Sequence, residues 1–584
     1  MKISKITNWM VAGAACLLLG TSCDVDPTFY SQVVPDTYYT NADAIWSRFN
    51  RPFTHWRWWV AHNDARVRLM EVGTDAMCVP TRGNDWFDGA VYQNMHHHHF
   101  MDDMSPMKDG WDLTTMGVAQ SWSALEDLEN IDFVSVGLTE EDRVSMINQL
   151  NVLAASFYLD GLDMFGGMPL YTSTKEDVKA RATDVETFHF IDSLLDVSMP
   201  NLPLKETLGA PETNVIHRAV AAALKVRLYF NAESYINKPM YEEAAKICQD
   251  IIDGKYGQYK LANHFTEIFG WGNETCPEII WTVPSENAKG ETDGGLTAFT
   301  LPYNFKDFLG GLQDASGNNG LCLCPSRDPE GNLYKFNVGN PYETFNDKDI
   351  RKQQYVYEGG RKYRGMFIVG ELQNPDFPEY KCLGAREYAG KVLNVVDQIA
   401  HISQVGNTVA SLKDLTSTIA DAEENSGVRV LKFSPLPNQD EFKERFNPDC
   451  PVIRLTEIYY TLAECKMRLG DKNGAADIIN SIRKRNFEGG NDPDPVTAAN
   501  LDKYRMLKEW MQEFLREARR RTDLIRWDAY VTEDWWDHKA TNDEKYNRYP
   551  LHQLSLGANP LLEQFRFYKS GIISHLCNFL LLQI

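Results

Sequence analysis

The sequence predicts a mainly α-helical protein made of irregular helical pairs separated by long loop-rich inserts. Three observations predict it. Apolar residues recur at helical spacing in several segments, those segments come in pairs joined by short turns, and the stretches between them lack any period. In chain order, Lys2 and Lys5 open the sequence and an uncharged run over residues 9–19 follows, then Gly20, Thr21, Ser22 and Cys23. That run falls well short of the roughly 20 residues that span a bilayer, so residues 1–22 read as a cleaved export signal. Residues 73–115 are rich in Gly, Pro, Asn and aromatics and are expected as structured loop. A helix follows over residues 144–165, stopped by Gly166-Gly167-Met168-Pro169, with a partner over 185–196. Residues 219–252 give a second pair, broken near Lys238-Pro239. Residues 255–450 again read as loop, and loops that long usually carry function.

The clearest pair spans residues 453–485. Leu455, Ile458, Tyr459 and Leu462 share one helical face, Gly470 and Asp471 form the turn, and Ala475, Ile478, Ile479 and Ile482 share the next face. Glu457 and Glu464 lie seven residues apart, so Arg483 and Arg485 are expected to pair with them across the hairpin. One more helix is expected over 504–520, with Glu517, Arg521, Asp523 and Arg526 as an ionic network at its end. Small residues at the crossings make the pairs tetratricopeptide-like, although irregular. Residues 23–584 are expected to form one domain, with an N-terminal part over 23–270 and a C-terminal part over 271–570. The apolar tail within 565–584 stands outside that pattern.

Composition narrows the function. With 59 Lys+Arg against 81 Asp+Glu the net charge is −22, which argues against nucleic-acid binding and against adhesion to anionic lipid by charge. Of the 11 cysteines, Cys16 lies in the signal, and Cys248 and Cys465 fall on apolar helical faces as core residues. Cys322 and Cys324 form a single C-x-C with no second pair, so no zinc site is expected there, and few or no disulfides in the chain.

Four segments stand out: residues 453–465 with Ile479-Asn480-Ser481-Ile482-Arg483, residues 513–527, Phe165-Gly166-Gly167-Met168-Pro169-Leu170, and residues 80–89, Pro-Thr-Arg-Gly-Asn-Asp-Trp-Phe-Asp-Gly. Their order spans nearly the whole chain after the signal. Together they resemble the SusD/RagB family of outer-membrane nutrient-binding lipoproteins. The segment ending at Cys23 is similar to a relaxed lipobox, which implies that Cys23 becomes the first mature residue and carries acyl chains, palmitate among them. The acidic Asp24-Val25-Asp26 that follows resembles a surface-export signal. The resemblance implies a SusD-like fold, a glycan held at the cell surface without chemistry, and a SusC-like TonB-dependent transporter as partner. The closing segment 559–564 is similar to the family's end, yet the chain continues to Ile584.

Within that frame the glycan-binding candidates are Asn84, Asp85, Trp86 and Phe87, on a Gly-flanked loop able to present a ring to a sugar face. Trp86 either stacks on ligand or plugs the core beneath the loop. Trp111 and Trp271 are further candidates, Trp271 because Gly270 and Gly272 flank it. His96 to His99 invite a metal, but four consecutive imidazoles cannot face one ion, so neither metal nor cofactor is expected. No Gly-rich phosphate loop, G-x-S-x-G or H-E-x-x-H is present, so no enzyme is expected. The alternatives are a helical scaffold that binds only protein and, more remotely, a glycoside hydrolase, whose two carboxylates no motif marks.

Overall fold

A computed structural model describes residues 39–565 apart from 63–64, 211–213, 286–297, 304, 306–316, 360–361, 373–380, 383–386, 406–407 and 434–447. Cys23, the signal and the tail from residue 566 lie outside the described residues. The chain is mainly helical, with tetratricopeptide-like packing of its helices. Helices α1 (Ala42–Arg57), α2 (Ala65–Glu71) and α3 (Val91–His96) lead into a stack. The stack comprises α4 (Ser105–Glu129), α5 (Glu140–Phe165), α6 (Asp184–Ser198), α7 (Arg218–Phe230), α8 (Tyr241–Ile252), α9 (Leu455–Arg468) and α10 (Lys472–Arg483). Each helix packs on the next, including α8 on α9 across the long insert, and α1 packs on α4. Helices α11 (Lys503–Phe514) and α12 (Arg520–Arg526) close the series.

Local chemistry sets these boundaries. Thr139 caps α5 in a reciprocal box with Asp142, and Thr183 caps α6 likewise with Glu186. Between those two helices, a Cβ on Gly167 would sit 1.9 Å from the Ala182 carbonyl oxygen, so only glycine lets the chain double back there. The same close approach occurs where α4 crosses α5: a Cβ on Gly117 would lie 2.4 Å from the Phe157 ring.

The insert is built from short strands. Strand β1 (Met77–Cys78) pairs antiparallel with β3 (Cys322–Leu323), and β2 (Ile279–Val283) pairs antiparallel with β4 (Cys450–Arg454). The second pair closes the insert at its base, because β4 runs straight into α9. Trp56 of α1 stacks on Trp281 of β2 with ring centroids 3.9 Å apart, which fixes that base to the first helix. One large apolar core runs through the stack, and a small separate cluster of Cys78, Cys322, Cys324, Ile399, Ile419, Ala422 and Trp536 underlies the loop at 80–89.

Four sequence expectations are corrected. Residues 73–115 contain α3 and the first turns of α4, because the apolar face that begins at Pro106 and Met107 is already buried against the stack. The helix expected over 504–520 ends at Phe514, and Arg516 and Ala518 take left-handed backbone at φ 64° and 55°. Glu517 thereby turns inward onto Arg454, which Glu513 of the last helical turn already meets, a tertiary demand that outweighs helix propensity. Arg483 and Arg485 do not meet Glu457 and Glu464. Arg483 pairs with Glu509 and Asp492, and Arg485 with Glu278 and Glu513. Glu457 instead pairs with Arg227, and Glu464 with Arg526. The network expected around α12 is likewise split, with Asp523 meeting Arg519 and Arg526 while Arg521 reaches Asp163 and Glu517 reaches Arg454 and Lys432.

Candidate functional site

The loop at 80–89 is a rigid platform. Arg82 and Asp85 exchange backbone hydrogen bonds of 3.0 Å each way, closing a tight turn through Gly83 at φ 60° and Asn84. The Arg82 side chain is fully buried and donates to the carbonyls of Asn319 and Glu423, both at 2.7 Å. Thr81 donates its amide to the Ile419 carbonyl and accepts from the Ala422 amide, so the loop is stitched to residues 419–423 along one side.

Past the turn, Trp86 adopts left-handed backbone at φ 63°, and Asp88 and Ala90 do the same at 41° and 66°. Each such non-glycine residue stores strain of about 1–3 kcal/mol, which the surrounding contacts must hold. For Trp86 those contacts are evident. Its indole Nε1 donates to the Asn318 carbonyl at 2.8 Å, and its ring packs on Phe299 at 5.1 Å and Tyr92 at 5.8 Å between centroids. Gly320 forms the floor, where a Cβ would come within 2.7 Å of the indole. Trp86 is thus half-buried with its N–H satisfied, leaving only ring surface for a ligand. Phe87 beside it is 51% exposed, Asn84 is exposed, and Asp85 accepts from the Tyr303 hydroxyl at 2.5 Å.

The other candidates are not brought to this loop. Trp111 lies on α4, 4% exposed, with its ring edge-on to Phe165 at 5.5 Å, so it has no face to offer a ligand. Trp271 is half-buried on its own turn, packed against Tyr357 and Tyr363. Arg82, Phe299, Tyr303, Asn318 and Gly320 are site residues that sequence reasoning did not single out. Arg82 stood within the quoted motif; the rest fall in an insert that has no periodic signal.

Two members of the histidine run, His96 and His98, are buried, while His97 is half-buried and His99 exposed. His96 donates from Nε2 to the Trp536 carbonyl at 2.8 Å and His98 to the Gly73 carbonyl at 2.9 Å, since carbonyls only accept. Burial pushes His96 down to about 4 and His98 to about 3, so both rings are neutral near pH 7. Among the described residues no group of three or more His, Cys, Asp or Glu side chains is placed to hold a metal ion, and no helix is long and apolar enough to cross a membrane. A cavity of about 70 Å³ between α1, α5, α7 and α9 is walled by charged groups already paired with one another, Arg66 with Asp160 and Arg227 with Glu457.

Comparison with known proteins decides the family. Residues 277–567 match the profile of the SusD family. The chain belongs to the SusD family. This SusD-family chain is 23% identical over 451 residues to the starch-binding protein SusD of Bacteroides thetaiotaomicron, covering 74% of each. It is 20% identical over 471 residues to the SusD-like protein P25 of Formosa agariphila, covering 76% of this chain and 78% of that one. Among solved structures, a laminarin-binding SusD-like protein superposes with a TM-score of 0.63 at 16% identity, covering 90% of this chain and 100% of that one. Surface glycan-binding protein A from Bacteroides uniformis gives 0.64 at 16% identity, covering 89% and 99%. The two solved structures share the fold of this chain.

Proposed function

We propose that this chain is a cell-surface glycan-binding lipoprotein that captures oligosaccharide or polysaccharide and hands it to a SusC-like TonB-dependent transporter in the outer membrane, without catalysis. The observation that carries the reading is the strained, stitched loop at 80–89, which holds an exposed Phe87 and a half-buried Trp86 beside the polar groups of Asn84 and Asp85. Flat rings cover the C–H face of a sugar while amide and carboxylate oxygens meet its hydroxyls, and a site fixed in advance loses little entropy on binding. Backbone strain concentrated in one exposed loop is also where binding sites tend to be found. Names of relatives that bind starch or laminarin support the ligand class. On the same reading Cys23 carries the acyl anchor that keeps the chain at the membrane.

Affinity electrophoresis of residues 24–584 through gels containing a panel of neutral polysaccharides tests this. Retardation by at least one glycan, lost in Phe87→Ala, which melts like the parent, and in Trp86→Ala, which stays folded, is the expected result. Absence of retardation across the panel, with co-purification of a barrel transporter, would point instead to a scaffold that binds only protein. Release of reducing sugar would revive catalysis.

A further inference from the structure

The small core cluster beneath the site holds three sulfurs. Cys78 on β1 and Cys322 on β3 are direct cross-strand partners in the antiparallel pair, 244 residues apart in sequence, and their Sγ atoms lie 3.8 Å apart. Both are fully buried. Residues opposed in an antiparallel ladder have Cα atoms about 4.5–5.5 Å apart, inside the 4.4–6.8 Å span that a disulfide bridges. A modest χ1 rotation is therefore enough to bring these two sulfurs into bonding range. Cys324 lies one residue past the end of β3 and is buried in the same cluster. It also interacts with the Cys78 thiol, but its register partner is Ala76 and its thiol donates to the Thr74 carbonyl, so Cys322 is the directly opposed partner.

We propose that Cys78 and Cys322 are joined by a disulfide in the exported protein. The proposal rests on the reading of export, because a thiol pair persists as a disulfide outside the cytoplasm and is kept reduced within it. The oxidant is an exchangeable disulfide, in the cell that of a thiol oxidoreductase. One cysteine thiolate attacks it to give a mixed disulfide and a released thiol. The second cysteine then displaces the remaining partner as a thiol, so two protons and two electrons leave the pair. Burial raises both thiols well above the usual cysteine range, and neither is exposed, so the exchange happens before the strands close. The position gives the bond a purpose. Cys78 lies two residues before the loop at 80–89, and Cys322 two residues after Gly320, the floor under Trp86. The crosslink ties the platform to its floor.

Residues 24–584 refolded from denaturant in a buffer of reduced and oxidised glutathione, then labelled with maleimide in denaturant and weighed intact, test this. The stretch contains nine cysteines. Seven labels, with a reductant-sensitive peptide linking Cys78 to Cys322, is the expected result. Cys78→Ser and Cys322→Ser should each label at all eight remaining thiols. Nine labels on the unsubstituted chain, or a link made through Cys324 instead, overturns the proposal. Glycan retardation is read on the same preparation, so a chain with nine free thiols that still binds glycan overturns the disulfide and leaves the proposed function standing.

Discussion

Replacing Arg454 with alanine removes the centre of a closed, buried charge cluster. Arg454 is 1% exposed and donates from Nε and Nη2 to the Glu517 carboxylate at 2.8 and 2.9 Å. Its Nη1 reaches Glu513 at 2.8 Å and Glu278 at 3.1 Å, with the Phe514 ring 4.2 Å beneath. Arg485 also holds Glu278 and Glu513, Lys432 holds Glu517, and Arg351 bridges Glu513 to Asp349. Four cations thus face four carboxylates. Burial opposes the charge on Arg454, but Glu517, Glu513 and Glu278 together hold its guanidinium well above its ordinary range. Arg454→Ala leaves one uncompensated negative charge in the core, which is expected to destabilise the fold by about 3–5 kcal/mol. Arg454→Lys keeps the charge but cannot reproduce the forked contacts, so its loss should be smaller. Adding Glu517→Gln to Arg454→Ala restores neutrality and should recover about 1–2 kcal/mol of coupling. Urea unfolding followed by tryptophan fluorescence measures all three. If Arg454→Ala lies within about 1 kcal/mol of the parent, or the double variant is merely additive, the charge-balance reasoning fails.

Gly320→Ala pushes a methyl group against the Trp86 ring at 2.7 Å and the Phe299 ring at 2.8 Å, so glycan retardation should fall at least about tenfold, or about 1.4 kcal/mol, with a stability cost of about 1–3 kcal/mol in a urea titration. Trp111→Ala should affect stability alone, costing about 3–5 kcal/mol in a urea titration while leaving the dissociation constant for glycan unaltered. Glu457 gives a pH signature. Burial disfavours its charge, but Arg227, Arg519 and Arg454 outweigh that and hold it down to about 2. Its folded value is depressed, so its stabilisation is present above about pH 4.5 and is lost as pH falls towards 2, and Glu457→Gln should flatten the acid limb of a stability profile measured by circular dichroism.

Several features of the candidate site could be read from residue order. The loop was legible at 80–89 because Pro80, Gly83 and Gly89 punctuate it and a tryptophan sits between them. Its floor was not. Phe299, Asn318 and Gly320 come from an aperiodic insert more than 200 residues away, and nothing local marks a glycine as the residue an indole rests on. Trp111 shows the converse error. Its surroundings in sequence look loop-like, yet the apolar face of α4 starts before it and places the ring against Phe165.

By itself the sequence determined the helical pairs and the turn at Gly166-Gly167, because amphipathic period and glycine punctuation act within a few residues. Tertiary structure alone decided which acid meets which base, where the helix after Lys503 breaks, and which rings stay in solvent. A buried charge takes the partner that packing brings within reach, whatever its distance along the chain. That is why Glu457 reaches back to Arg227, and why Arg454 gathers carboxylates from both sides of the insert.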